Sequence, residues 1–358
     1  MQLAVWPAAR RGRDYSFAIV WGAVLAGGLA LSEPLPSFEV APYLSFAPTA
    51  PAEAAPQASA LPELYAAPEV LAFVRHEMSE PDDMVYRSPR EQAWAHGRFA
   101  APGNAVRRQV QLRTITPKTA DELAGFFRRA SYSLGDIRQG EAVPPIRLEK
   151  IPSDITSKDG NERKALFITA LLPVILEVNQ HILADREQLM YLREKFRTRP
   201  ASVTTIERIW LEELAERYDT PFDNLDELLR RVDIVPPSMA IAQGGVESGW
   251  GSSPAARGNS LFGQLQVVGR SGTAPQPFAN LGEATAAYIA NLNTHRAYVA
   301  FRTARAALRE RGEALDGYQL IGALLRYSEL GTDYVRFVRQ IMRENDLADF
   351  DKARLSIY

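Results

Sequence analysis

The stretch "GGVESGWGSSPAARGNSLFGQ", residues 244–264, places one acid, Glu247, among glycines, small residues and a tryptophan. The preceding "PPSMAIAQ" is apolar and opens on proline, which suits the first turn of a helix because its missing amide would be unbonded there anyway. The spacing predicts a helix that starts near Pro237 and ends by Gly249 or Gly251, with Glu247 in its last turn. A carboxylate there faces the negative end of the helix dipole, and burial beside Val246 and Trp250 disfavours its charged form further. Both effects raise its pKa. A carboxylic acid that keeps its proton near neutral pH can protonate the leaving oxygen of a glycosidic bond. Gly244 and Gly245 cost the helix roughly 1 kcal/mol each relative to alanine, and their missing Cβ atoms permit close approach of another helix or of a substrate. The plainer alternative is a surface glutamate at a helix end capped by glycine.

The elements that must position this acid are mostly helical. "ERKALFITALLPVILEVNQHILADREQLMYLREKF" carries apolar residues at helical spacing, with Pro173 expected to kink the helix or split it in two. Thr204 with Glu207 and Thr119 with Glu122 form capping-box patterns. Further helices are expected near 281–293, 296–311, 317–328 and 333–346, around one irregular loop, Ser252 to Ala279. Val267 and Val268 before "GRSG" allow a brief hairpin in that loop. "QVQLRTIT", residues 109–116, alternates like a strand. Helices outnumber strands too strongly for a doubly wound sheet. The expected fold is mainly α, with a small α+β accessory region over 69–160 and the main domain over 161–354.

The chain has 358 residues, a net charge of −2, four scattered histidines and no cysteine. That excludes disulfides, thiolate metal sites and a cysteine nucleophile. It also provides no basic field for nucleic acid, and no cofactor is expected. Arg10, Arg11 and Arg13 precede "FAIVWGAVLAGGLAL", residues 17–31, and a Pro/Ala-rich tract follows over 33–68. Residues 1–32 read as an export signal or a membrane anchor and 33–68 as a semi-extended linker. The location expected from these features is the periplasm or cell envelope, with inner-membrane contact through 17–31.

Residues 234–266 closely resemble the catalytic segment of the Bax-like glucosaminidases, in the glycoside hydrolase family that also holds bacterial autolysins and the flagellar wall hydrolase. "FANLGEATAAYIANLNTHRAYVAFRTAR", residues 278–305, is similar to the helices that follow in that family, and "YSELGTDYVRFVRQIMRENDL", residues 327–347, to its closing tyrosine motif. Residues 162–186 resemble the first helix of the Bax-like branch. Four motifs in the family's order are far more specific than one glutamate. The resemblance implies a lysozyme-like fold, a helical lobe facing a small β or loop lobe. It implies cleavage of the β-1,4 bond on the reducing side of N-acetylglucosamine in peptidoglycan. Glu247 matches the family's catalytic acid, flanked by Ser248 and Trp250. Asn259, Leu261, Phe262, Gly263 and Gln264 match the segment across the cleft, and Tyr327 and Tyr334 match tyrosines that approach the substrate; Tyr327 could take a catalytic part by stabilising the oxocarbenium-like centre or orienting the acetamide, or could be a core aromatic.

The chain departs from the pattern in one respect. Relatives usually carry a second acid after "LFGQ", whereas residues 265–280 contain no Asp or Glu. Glu283, Glu329 and Asp333 are the nearest candidates for a second acid or base, although Asn280 and Glu283 also read as a reciprocal helix cap. An inverting hydrolase needs a base about 6.5–9.5 Å from the acid. Substrate assistance through the N-acetyl group, and attack by the muramyl 6-hydroxyl as in a lytic transglycosylase, each need only one carboxylate. A wall-binding protein without turnover is the non-enzymatic alternative. Trp94 and Trp210 could stack on sugars or fill the core, Arg257 could meet a peptide carboxylate or solvent, and His295 reads as a helix-junction residue.

Overall fold

Asp159 accepts hydrogen bonds from the amides of Asn161 and Glu162 and so opens the longest helix of the molecule. The computed structural model describes residues 112–268 and 272–356, together with the backbone of two short strands, β1 (Asp14–Ser16) and β2 (Val85–Arg87), which pair antiparallel. The apolar run 17–31, the tract 33–68 and Trp94 lie outside the described residues. Ahead of the long helix come β3 (Arg113–Ile115), α1 (Ala120–Arg129), α2 (Leu134–Arg138) and β4 (Ile146–Leu148). β3 and β4 pair in parallel, Arg113 opposite Ile146 and Ile115 opposite Leu148. Thr119 caps α1 as its sequence predicts. The Glu122 carboxylate, however, accepts from the amide of Lys118 rather than that of Thr119.

The long helix, α3 (Gly160–Thr198), runs unbroken through Pro173 rather than splitting there. Leu171, Leu172, Val174 and Ile175 around the proline are fully buried. Their packing offsets the roughly 3 kcal/mol that proline costs a helix interior. Among the described residues α3 alone has the length and apolarity to cross a membrane, but 83% of its apolar window is buried inside the protein. It is therefore the central core helix of the fold.

Then follow α4 (Thr205–Arg217), α5 (Leu225–Arg231), α6 (Pro237–Ser248), β5 (Leu265–Val268), β6 (Gly272–Pro275), α7 (Leu281–Thr294), α8 (Val299–Glu310), α9 (Gly317–Leu320) and α10 (Thr332–Glu344). The capping box of Thr204 and Glu207 opens α4 as expected. The stretch expected to be helical over 317–328 stops sooner. A single 3-10 turn, Ile321–Ala323, follows α9, and the chain then turns through Leu324–Gly331. β5 and β6 form the hairpin predicted at Val267 and Val268.

α6 carries apolar or small residues on every side and is buried along nearly its whole length. It packs against α3, α9, α10 and the closing 3-10 turn Leu347–Lys352. One continuous apolar core runs from Ile115 and Leu123 through Phe167, Ile241 and Phe262 to Phe350 and Leu355. Over residues 112–356 the result is a mainly helical body carrying the small β5–β6 hairpin.

Candidate active site

α6 ends as its glycines dictate. Gly249, Trp250 and Gly251 adopt φ of +58°, +58° and +81° in succession. The Trp250 amide donates to the Gly245 carbonyl at 2.8 Å. Left-handed backbone costs an ordinary residue roughly 1–2 kcal/mol, so Trp250 must be held by its packing. Its ring lies edge-on to Phe167, with centroids 5.7 Å apart, and covers Gly245, where a Cβ would come within 2.9 Å of it. A Cβ on Gly244 would meet Phe262 at 3.1 Å and Leu171 at 3.3 Å. The two glycines thus admit protein neighbours. Ser248 is buried, donating to the Gly244 carbonyl at 2.6 Å and accepting from the Gly251 amide at 2.9 Å. Ser248 and Trp250 therefore fasten the end of the helix that presents Glu247.

Glu247 retains partial contact with solvent while protein crowds its carboxyl. The Tyr334 hydroxyl donates to Oε1 at 3.0 Å. Oε2 lies against Gly263, where φ is +69° and a Cβ would come within 2.8 Å of that oxygen. Burial pushes the Glu247 pKa up to about 7, and the hydrogen bond from Tyr334 opposes the rise. Neither a cation nor a second carboxylate contributes to the shift. The carboxyl is consequently protonated in a large fraction of molecules at neutral pH, as a general acid requires.

The facing segment is anchored at both ends. Asn259 donates through Nδ2 to the Phe278 carbonyl at 3.1 Å, and the Gly258 carbonyl accepts from the Phe278 amide at 2.9 Å. Leu261 and Phe262 are buried, and Phe262 stacks on Tyr288 with centroids 4.2 Å apart. The Gln264 carbonyl accepts from the Gln276 amide at 2.9 Å, which closes the base of the hairpin. The side-chain oxygens of Asn259 and Gln264 are buried without a protein partner. Gly263 thus projects toward Glu247 from a loop whose other residues are fixed in the core.

Both tyrosines are fully enclosed. Tyr327 donates to the Phe262 carbonyl at 2.8 Å and stacks on Tyr334, with centroids 5.5 Å apart. Tyr334 meets Glu247 directly. Burial and the Glu247 charge push the hydroxyls of both well above the usual tyrosine range, so they act as neutral donors.

None of the remaining candidates hydrogen-bonds to Glu247. Glu283 caps α7, its amide bonded to Asn280 and its Oε2 accepting from the Ala279 amide at 3.1 Å. Glu329 is exposed, and Asp333 is exposed and paired with Arg336. Arg257 is exposed and Trp210 is buried in the core. His295 accepts from the Ala297 amide at 3.3 Å at the junction after α7; burial, helped by neighbouring arginines, pushes its pKa down to about 4. Among the described residues no cluster of acids or histidines could hold a metal ion.

Two residues of the site escape the motif pattern. Gln243 lies one helical turn before Glu247, and its Nε2 donates to the Tyr334 hydroxyl at 3.0 Å. The Tyr288 hydroxyl donates to the Gln243 Oε1 at 2.7 Å. An isolated amide inside an apolar helix is the only trace Gln243 leaves in the sequence.

Comparison with known proteins agrees with this geometry. Residues 223–347 match a family model described as mannosyl-glycoprotein endo-β-N-acetylglucosaminidase. The Escherichia coli (strain K12) protein named Protein bax is 34% identical over 220 residues, covering 58% of this chain and 76% of that protein. No solved structure matches the chain. With a helix carrying a desolvated glutamate, the loop that leads into a small hairpin packed against it, and these two matches, the chain belongs to the glucosaminidase family of glycoside hydrolases.

Proposed function

We propose that Glu247 is the general acid with which this glucosaminidase cleaves the β-1,4 bond on the reducing side of N-acetylglucosamine in peptidoglycan. The observation that carries the proposal is a single carboxylate in a partly open site with its pKa raised to about 7 by burial. As the anomeric C–O bond breaks, its electron pair goes to the leaving oxygen, which takes the Glu247 proton. The positive charge that develops at the anomeric carbon is then met by water or by the substrate's own acetamido oxygen.

Glu283 is committed to a helix cap and Glu329 faces solvent. Among the described residues neither candidate pairs with Glu247, so hydrolysis assisted by the acetamido group, which needs no second protein carboxylate, is favoured over a two-carboxylate mechanism using either of them. The same observation favours a second reading, lytic transglycosylation, in which the muramyl 6-hydroxyl is the acceptor. The basic residues ahead of the apolar run 17–31 support export to the cell envelope or anchoring at the inner membrane.

Mass spectrometry of products from purified peptidoglycan separates these readings. Fragments with reducing N-acetylglucosamine ends that vanish with Glu247→Gln are expected. Anhydromuramyl ends would assign the transglycosylase reaction, and undiminished products from Glu247→Gln would remove Glu247 from the acid role.

A further inference from the structure

We infer that Gln243 and Tyr288, acting through Tyr334, determine which oxygen of Glu247 carries the proton it transfers. The inference rests on the reading of Glu247 as the acid and adds two positioning residues to it. Gln243 is completely buried on α6, so both ends of its amide need partners. The Tyr288 hydroxyl, from α7, donates to the Gln243 Oε1 at 2.7 Å; with the amide reversed, that buried proton would have no acceptor among the described residues, which sets the way the amide points. Nε2 must then donate toward α10, where the Tyr334 oxygen accepts it at 3.0 Å. A hydroxyl has one proton. With its oxygen already accepting from Gln243, Tyr334 turns that proton to Glu247 Oε1, 3.0 Å away. An oxygen that accepts this bond does not hold the acid proton toward the same partner. The acid proton therefore rides on Oε2, the oxygen beside the bare α-carbon of Gly263.

If the amide were reversed, its oxygen would take the Tyr334 proton. The Tyr334 oxygen could then accept only from a protonated Oε1, and the acid proton would be held in the interior. Tyr288 is what opposes that reversal. Among the described residues, four buried tyrosine hydroxyls feel the Glu247 charge: Tyr334 on α10, Tyr288 on α7, Tyr298 in the turn before α8, and Tyr327 in the segment before α10. All four are buried and neutral at working pH, so hydrogen-bond direction, rather than a nearby charge, is what the protein adjusts.

The test uses initial rates of the full chain on purified peptidoglycan from pH 5 to 10. Tyr288→Phe keeps the ring stacked on Phe262 and removes only the hydroxyl. Gln243→Met keeps the volume and removes the directed amide. In each variant the plateau rate is expected to fall about tenfold, part of the roughly 100- to 10,000-fold that a general acid supplies. The alkaline limb is expected to move up by about half a pH unit, because the bond from Tyr334 that favours the carboxylate is weakened. KM should not change. The double variant should lose no more than the worse single one, since both act through Tyr334.

A merely structural role would lower Tm and leave the limb in place. Limbs unmoved in both folded variants, or losses that multiply in the double variant, would overturn the inference while leaving Glu247 as the acid. Full activity in Glu247→Gln would instead overturn the reading beneath it.

Discussion

At Glu247 two effects oppose each other. Burial raises the affinity for the proton, and the hydrogen bond from Tyr334 lowers it, with burial the larger. The stability consequence follows from linkage. The folded state binds this proton more tightly than the unfolded chain does, so the protein loses stability as pH rises from the ordinary value of 4.5 to about 7 and loses no more above that. At roughly 1.4 kcal/mol per pH unit the loss is about 3 kcal/mol. Glu247→Gln, which keeps the shape and removes the charge, should gain in Tm over the parent across this window. Melting curves at pH 4.5, 6 and 8 check this, and an advantage that does not grow with pH would remove the buried-charge explanation. The place of Glu247 in the last turn of a helix was legible in the sequence because Pro237 and Gly249 bracket that helix, whereas its reading as an acid came from the resemblance of the motifs around it. Gln243 and Tyr288 were not legible. Their bonds join positions 45 and 91 residues apart, and only packing brings those positions together. Likewise, the spacing of Tyr327 and Tyr334 carries no sign that their hydroxyls turn inward.

At the scale of elements, glycine positions decide whether α6 and its facing loop can meet. Gly263→Ala would put a methyl within 2.8 Å of the acid's Oε2 and force alanine into left-handed backbone. The expected result is a loss of activity on the order of 100-fold with a Tm fall of only a few degrees. Gly245→Ala would press on the Trp250 ring at 2.9 Å and should cost about 1–3 kcal/mol through overpacking. Activity assays and thermal melts on both variants separate the two mechanisms; a Gly263→Ala enzyme with parental rates would contradict the assigned geometry. Helix starts and stops were legible wherever a cap or breaker acts locally, as at Thr204 and Gly249. At Pro173, where a kink or a split is expected, the helix stays in one piece because buried neighbours outweigh a local penalty; the same rules misjudged residues 324–328, where a helical-looking pattern yields to a turn that delivers Tyr327 to the core.

Across the whole molecule, the C-terminal segment ties remote parts to the acid-bearing helix. Asp351 accepts at 2.8 Å from both the amide and the hydroxyl of Ser238, at the start of α6, and at 3.0 Å from the Gly317 amide. Beyond it, the Arg354 carbonyl accepts from the Val143 amide at 2.8 Å, and the Ser356 amide donates to the Val143 carbonyl at 2.8 Å. Leu347, Phe350 and Leu355 fill the core between. Asp351→Ala leaves three donors short of their partner and should cost about 2–4 kcal/mol, read as a fall in the denaturation midpoint; an unchanged midpoint would show that water replaces the carboxylate. Such long-range ties have no local signature. The onset of strong helical periodicity at 161 is visible in the sequence, whereas the continuity of the core across that point, from Leu123 to Leu355, is a property of packing. The central claim concerns one proton. A 13C NMR titration of the Glu247 carboxyl in the full chain, assigned by its loss in Glu247→Gln, tests it most directly. A midpoint near 7 is the predicted result, and a midpoint near 4.5 would contradict it.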